Sequence, residues 1–198
     1  MQLTRSFYEQ NNVEVLAKKL LGKKLVTNFN GAVTAGIITE VEAYSGRNDK
    51  ACHANNGLRT LRTEVMYGAG GYAYVYLCYG IHHMINIVTN VEGQADAVLI
   101  RAIEPIIGID TMLERRGFDK LTKALTSGPG NVGKALGLNT KRHNGLSLLE
   151  NEIWIEDQAE VSEEQIISTT RIGVDYAEED ALKPWRFYIK DSKWVSKK

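Results

Sequence analysis

Glu40 and Glu42 stand two residues apart in a β-branched run, Ile37-Ile38-Thr39-Glu40-Val41-Glu42-Ala43-Tyr44. Side chains on a strand alternate with period two, so both carboxylates leave it on one face. A carboxylate held this way can orient and deprotonate a water, or offset positive charge that develops in a reaction. Further on, Tyr72-Ala73-Tyr74-Val75-Tyr76-Leu77-Cys78 is a second strand pattern, and Tyr79-Gly80 followed by His82 to Thr89 makes it a hairpin with an aromatic residue at its tip. If the loop is Tyr79-Gly80-Ile81, Cys78 faces His82, Tyr76 faces Met84 and Tyr74 faces Asn86, which puts Tyr76 and Asn86 on one face. A two-residue loop would send Asn86 to the other. Carboxylates, tyrosines and an aromatic tip, all between Gly36 and Asn86, suit a site for a flat, uncharged ring.

Two other chemistries have weaker support. Gly128-Pro129-Gly130-Asn131-Val132-Gly133-Lys134-Ala135 nearly matches the phosphate-binding pattern G-x-x-x-x-G-K-[ST]. Ala135 stands where that pattern needs a hydroxyl for magnesium, and Leu121 to Thr126 is a poor strand to precede it. His82 and His83 invite a metal reading with Cys52 or Cys78, but adjacent strand residues point to opposite faces and no pair has ligand spacing. No metal or other cofactor is expected.

The elements that must position these residues follow from pattern. Asn12 is a helix N-cap before the apolar stripe Val13, Leu16, Ala17, Leu20 and Leu21, and Gly22 is placed to end the helix. Leu25-Val26-Thr27, the turn Asn28-Phe29-Asn30-Gly31 and the run Val33 to Tyr44 form a hairpin, so the carboxylate strand is paired early. A short helix is expected at Thr60 to Met66 and a buried strand at Ala97 to Ala102. Helices follow at Ile109 to Arg116 and Val132 to Leu136, then strands at Ile153 to Glu156, Thr170 to Val174 and Trp185 to Ile189; Lys197-Lys198 is expected to fray. Strands joined in hairpins with only short helices between them favour an antiparallel α+β architecture over a doubly wound parallel sheet.

At 198 residues one domain, 1–198, is expected. Met1-Gln2-Leu3-Thr4-Arg5-Ser6 lacks the apolar run of a signal peptide, no apolar segment is long enough to span a bilayer, and two cysteines are too few for a disulfide framework, so a cytoplasmic protein is expected. The 24 basic residues balance the 24 acidic ones, which argues against strong electrostatic binding of nucleic acid. The distribution is uneven. Glu150 to Asp180 holds eleven acids and one base, Arg171, leaving a basic excess elsewhere, and this acidic stretch is expected to face away from any nucleic acid.

The ordered motifs E-x-E-A-Y (Glu40, Glu42, Ala43, Tyr44), His53, G-x-x-T-x-R (Gly57, Thr60, Arg62), Y-x-Y-x-x-Y-G (Tyr74, Tyr76, Tyr79, Gly80) and M-x-N (Met84, Asn86) resemble those of the alkyladenine (3-methyladenine) DNA glycosylase family, the alkylpurine glycosylases of the mammalian type. The likeness continues through Leu99 to Pro105, Ser127-Gly128-Pro129, Arg171 to Val174, Pro184 to Tyr188 and Trp194-Val195-Ser196, nearly the whole chain.

The resemblance implies a curved antiparallel sheet surrounded by short helices, of the FMT C-terminal domain-like type. It implies a monomer acting on double-stranded DNA that contains damaged purines. By the same resemblance Glu42 activates water, Arg101 holds the water or Glu42, and Glu40 is a supporting partner. Tyr44 and His53 would lie on one side of a flipped base and Tyr76 on the other, with Asn86 crowding the 2-amino group of guanine. Tyr79 would wedge into the gap left by the flipped nucleotide, and Arg59 and Arg62 would contact phosphate. Ser127-Gly128-Pro129 would open a helix that either faces DNA phosphate with its amides or buttresses the site. With no lysine in the matched pocket motifs, attack is expected directly from water, without a Schiff base. A noncatalytic binder of damaged or single-stranded nucleic acid, needing Tyr79 but not Glu42, and a nucleotide-dependent enzyme using Lys134 are the competing readings.

Overall fold

The computed structural model describes residues 1–198. Its elements in chain order are α1 (Arg5–Tyr8), α2 (Val13–Leu20), β1 (Lys24–Phe29), β2 (Ala32–Tyr44), β3 (Ala73–Cys78), β4 (His82–Thr89), β5 (Asp96–Ile107), α3 (Ile109–Arg116), α4 (Pro129–Leu136), α5 (Thr140–His143), β6 (Ile153–Glu156), β7 (Ile166–Thr169) and β8 (Arg186–Ile189). The eight strands form an open antiparallel sheet ordered β3-β4-β5-β2-β1-β6, with β8 pairing the far half of β2 and β7 pairing β8. The expected α+β class is what folds.

Asn12 caps α2 as its residue type suggests, its Oδ1 accepting from the Glu14 and Val15 amides. The buried stripe Val13, Leu16, Ala17 and Leu20 lays this helix on β2 and β5. Asn30 and Gly31, both at positive φ, make the two-residue turn from β1 to β2. Helix α4 follows Gly128 and packs across β4 rather than after a strand. A Cβ at Gly133 would sit 1.7 Å from the His83 carbonyl oxygen, so this glycine serves close helix-to-strand approach, and the glycine-rich run is a packing surface.

Three expected elements differ. Thr60 to Met66 is a turn leading into a short 3₁₀ helix at Glu64–Tyr67, because the buried Thr63 hydroxyl bonds the Thr60 amide and the Leu58 carbonyl and so competes with helical pairing. The strand predicted at Thr170 to Val174 lies earlier, at Ile166–Thr169, and the chain then leaves the sheet. Residues 194–197 are tied down: the Ser196 amide donates to Glu40, and the Lys197 carbonyl accepts from Arg186. No helix is long and apolar enough to cross a membrane.

Candidate active site

The two carboxylates share a face by period two, and they leave the core face of Ile38 because β2 and β5 are both bulged. Ile38 pairs Ile103 and Glu40 pairs Ala102, leaving Thr39 extra; Val41 then pairs Ile100, leaving Arg101 extra. In β2 the core side chains are Ile38, then Val41 and Ala43, and in β5 they are Val98 and Ile100, then Ile103. Each strand therefore changes parity at its bulge. Without the extra residue, Glu40 and Glu42 would share the buried face of Ile38. The two slips cancel, so pairing resumes in register and Arg101 is set beside both acids.

Arg101 bridges the pair, its Nε 3.1 Å from Glu40 Oε1 and its Nη1 3.2 Å from Glu42 Oε2. Beyond that the two acids differ. Glu40 also takes Arg186 Nη1 at 2.9 Å, the Ser196 amide at 2.6 Å and the Ser196 hydroxyl at 2.8 Å, so its acceptor sites are consumed in anchoring residues 194–197. Glu42 accepts from Tyr44 Oη at 2.7 Å on Oε2 and from the Ile172 amide at 2.8 Å on Oε1. Burial and the neighbouring carboxylate hold the Tyr44 phenol far above its usual pKa, so it stays a donor. An ionised carboxylate offers about four acceptor sites. Two hydrogen bonds and the Arg101 ion pair leave Glu42 with acceptor capacity, and Glu42 lines a cavity.

That cavity is about 530 Å³ and is lined by Glu42, Tyr44, His53, Arg62, Tyr76, Tyr79, Asn86 and Arg101 among others. All the predicted site residues but one thus converge. Arg59 does not line it; it forks onto Glu64 and lies over the Tyr67 ring on the outer surface. The β3–β4 hairpin has the three-residue loop: Cys78 pairs His82, Tyr76 pairs Met84 and Tyr74 pairs Asn86. Tyr79, at φ 51°, is 88% exposed at its tip, flanked by exposed Leu77 and Ile81. Asn86 is buried, its amide nitrogen held by the Tyr74 carbonyl at 3.3 Å.

His53 and Tyr76 do not face each other across a slot, as the family likeness implies for a bound base. Their centroids are 4.8 Å apart with the rings at 83°, whereas a sandwiched base needs about 7 Å between parallel rings. Tyr76 instead stacks beside Tyr74 at 5.4 Å, and Tyr74 Oη lies 3.0 Å from His53 Nδ1. Burial and the Arg62 charge bring the His53 pKa down to about 4, so the imidazole is neutral at physiological pH.

Ile172 and Tyr74 are site residues that sequence reading passes over, the first because it acts through its backbone and the second because a period-two tyrosine looks like core. Arg171 supports the first. It is fully buried against Asp49, donates to the Ala43 carbonyl, and lies 4.8 Å from the Tyr44 ring centroid. The acidic stretch is not remote from the site, since its residues 172–174 and Tyr176 line the cavity. Its charge is offset locally, Glu156, Asp157, Glu163, Glu178, Glu179 and Asp180 each pairing with a lysine. His83 is bound to Thr140, and no cluster of three potential metal-ligating side chains exists.

A buried carboxylate with acceptor capacity to spare, an aromatic cavity and an exposed tyrosine beside it are the parts a hydrolase-like centre for a planar ring would need. Over residues 6–193 the chain matches the Methylpurine-DNA glycosylase (MPG) family, and it belongs to that family. Among curated proteins it is 50% identical over 207 residues to the "Putative 3-methyladenine DNA glycosylase" of Bacillus cereus (strain G9842). It is 49% identical over 205 residues to the protein of the same description from Alkaliphilus oremlandii (strain OhILAs), and both alignments cover 100% of each chain.

Proposed function

We propose that this protein is a DNA glycosylase of base excision repair that hydrolyses the N-glycosidic bond of alkylated or deaminated purines, 3-methyladenine among them, and leaves an abasic site in an uncut strand. The observation that carries this reading is Glu42: fully buried, fixed by two hydrogen bonds and the Arg101 ion pair, and lining a cavity with acceptor capacity to spare. A water bonded there is oriented by the carboxylate and loses its proton to it as positive charge develops on the sugar, while the anionic side chain stabilises that charge. Arg101 keeps Glu42 in place. Tyr44, His53 and Tyr76 supply the stacking surface, each stacked base being worth about 1 to 3 kcal/mol.

Asn86, with its nitrogen already committed to Tyr74, is a fixed wall that crowds a guanine 2-amino group. Tyr79 is the wedge that fills the stack when the nucleotide turns out. Arg62, and Arg59 on the outer surface, contact phosphate. No lysine lines the cavity, which supports attack by water without a covalent imine and hence a monofunctional enzyme. The protein acts as a single-domain monomer on duplex DNA and needs no cofactor. The test is incubation with methylated duplex and chromatography of the released bases, with hypoxanthine and ethenoadenine duplexes in parallel. Release of 3-methyladenine with an intact strand is expected; no purine released from any substrate refutes the reading and leaves a noncatalytic binder.

A further inference from the structure

Arg62 is the one predicted phosphate contact that lies inside the cavity. Its guanidinium carbon is 4.9 Å from the Tyr76 ring centroid, and its Nη2 is 3.0 Å from His53 Nε2. A planar cation over an aromatic face and against the neighbouring imidazole takes the room a flat heterocycle would need. His53 stands nearly perpendicular to Tyr76 beneath it, so a base cannot enter between them while this arrangement persists. Arg62 is itself exposed.

The same Arg62 Nη2 is 3.4 Å from His53 Nδ1, so it lies against the ring and not along the Nε2 lone pair, and Arg62 covers the imidazole as well as Tyr76.

We infer that Arg62 is a stand-in for the flipped base: it closes the empty cavity over Tyr76 and His53 and is displaced when a base enters. Released, the same guanidinium is free to meet phosphate, so closing the empty pocket and gripping the backbone are exclusive uses of one side chain. The inference rests on the glycosylase reading for the identity of the competing ring. It adds that the pocket's apparent affinity is reduced by the fraction of molecules in which Arg62 occupies it.

Free 3-methyladenine separates this from a phosphate contact, because the free base has no phosphate. Titration calorimetry with that base is expected to give about tenfold tighter binding to Arg62→Ala than to the wild-type chain. Arg62→Lys should also tighten it, since lysine keeps the charge without the flat fork. Both variants should bind a duplex carrying one ethenoadenine no more tightly than wild type. Unchanged or weaker binding of the free base by both variants overturns the inference. If no purine is released from methylated duplex, the glycosylase reading fails separately; release of purine with unchanged free-base affinities overturns only the role of Arg62.

Discussion

Glutamine at position 42 or at position 40 should separate chemistry from architecture. Glu42→Gln keeps the shape of the side chain, but Oε1 and Oε2 both face donors, the Ile172 amide on one side and Tyr44 with Arg101 on the other. A carboxamide can turn its oxygen to only one of them, leaving an N–H against a donor at a cost of about 1 to 3 kcal/mol. Glu40→Gln instead removes the charge shared by Arg101 and Arg186, both buried, and one of the acceptors holding Ser196. Breaking a buried ion pair by removing one partner costs about 3 to 5 kcal/mol, which in a chain of this size lowers the melting temperature by about 6 to 20 °C. The rates should order the other way. In single-turnover cleavage of ethenoadenine or hypoxanthine duplexes, whose glycosidic bonds need the enzyme's help, Glu42→Gln should lose at least about 100-fold while still binding the lesion. Glu40→Gln, measured per folded molecule, should lose much less. Near-normal cleavage by Glu42→Gln, or equal losses in the two variants, would refute the assignment of the base; a borohydride-trapped protein–DNA adduct would refute direct attack by water.

Tyr79→Ala should leave the melting temperature unchanged, because the side chain is exposed, and should weaken lesion binding about tenfold and dim a flipped-base fluorescence reporter. An unchanged reporter signal and excision rate would remove the wedge. Acid should destabilise the protein through His53, whose folded pKa of about 4 lies below the unfolded value of about 6.5. The unfolded chain binds the extra proton in that window, so stability rises with pH between about 4 and 6.5 and is lost as pH falls through it, by about 1 to 3 kcal/mol for this partly covered ring. His53→Gln should flatten that segment of a urea-denaturation pH series. Arg171→Met strips Asp49 of its buried partner and frees the Tyr44 ring and the Ile172 backbone together, so both the denaturation midpoint and the single-turnover rate should fall. A variant that lost stability alone would show that Glu42 is held without Arg171.

Local signals carried the parts of the fold that local physics decides. Asn12 before an apolar stripe and Asn30-Gly31 between strands each state their geometry within a few residues, and each is observed; at Tyr79 the sequence leaves two loop lengths open, and the three-residue one is found. The shared face of Glu40 and Glu42 was legible for an incomplete reason. Period two gives it, but the choice between core and cavity depends on the bulges at Thr39 and Arg101, which arise from pairing between strands some sixty positions apart. The Ile172 amide was invisible because backbone donors carry no residue signature, and the β-branched Thr170 to Val174 run looks like a strand although Arg171 is drawn out of the sheet by Asp49. Arg62 and Arg59 look alike in sequence. Only the distance to Tyr76 in one case and to Glu64 in the other tells them apart.

The anchoring of Ser196 by Glu40 also has a consequence for biosynthesis. Strand β2 leaves the ribosome early, yet the carboxylate beside the proposed base waits for partners 146 and 156 positions later, Arg186 and Ser196. Until they are made, β2 lacks β8 along Glu40 to Glu42, and Glu40 has no route to burial except through Arg101. A nascent chain can thus form the hairpin and expose Tyr79 well before Glu40 is anchored. On the proposed assignments the DNA-facing surface matures first, so a polypeptide interrupted before residue 196 would present Tyr79 while β2 is still incompletely anchored at Glu40.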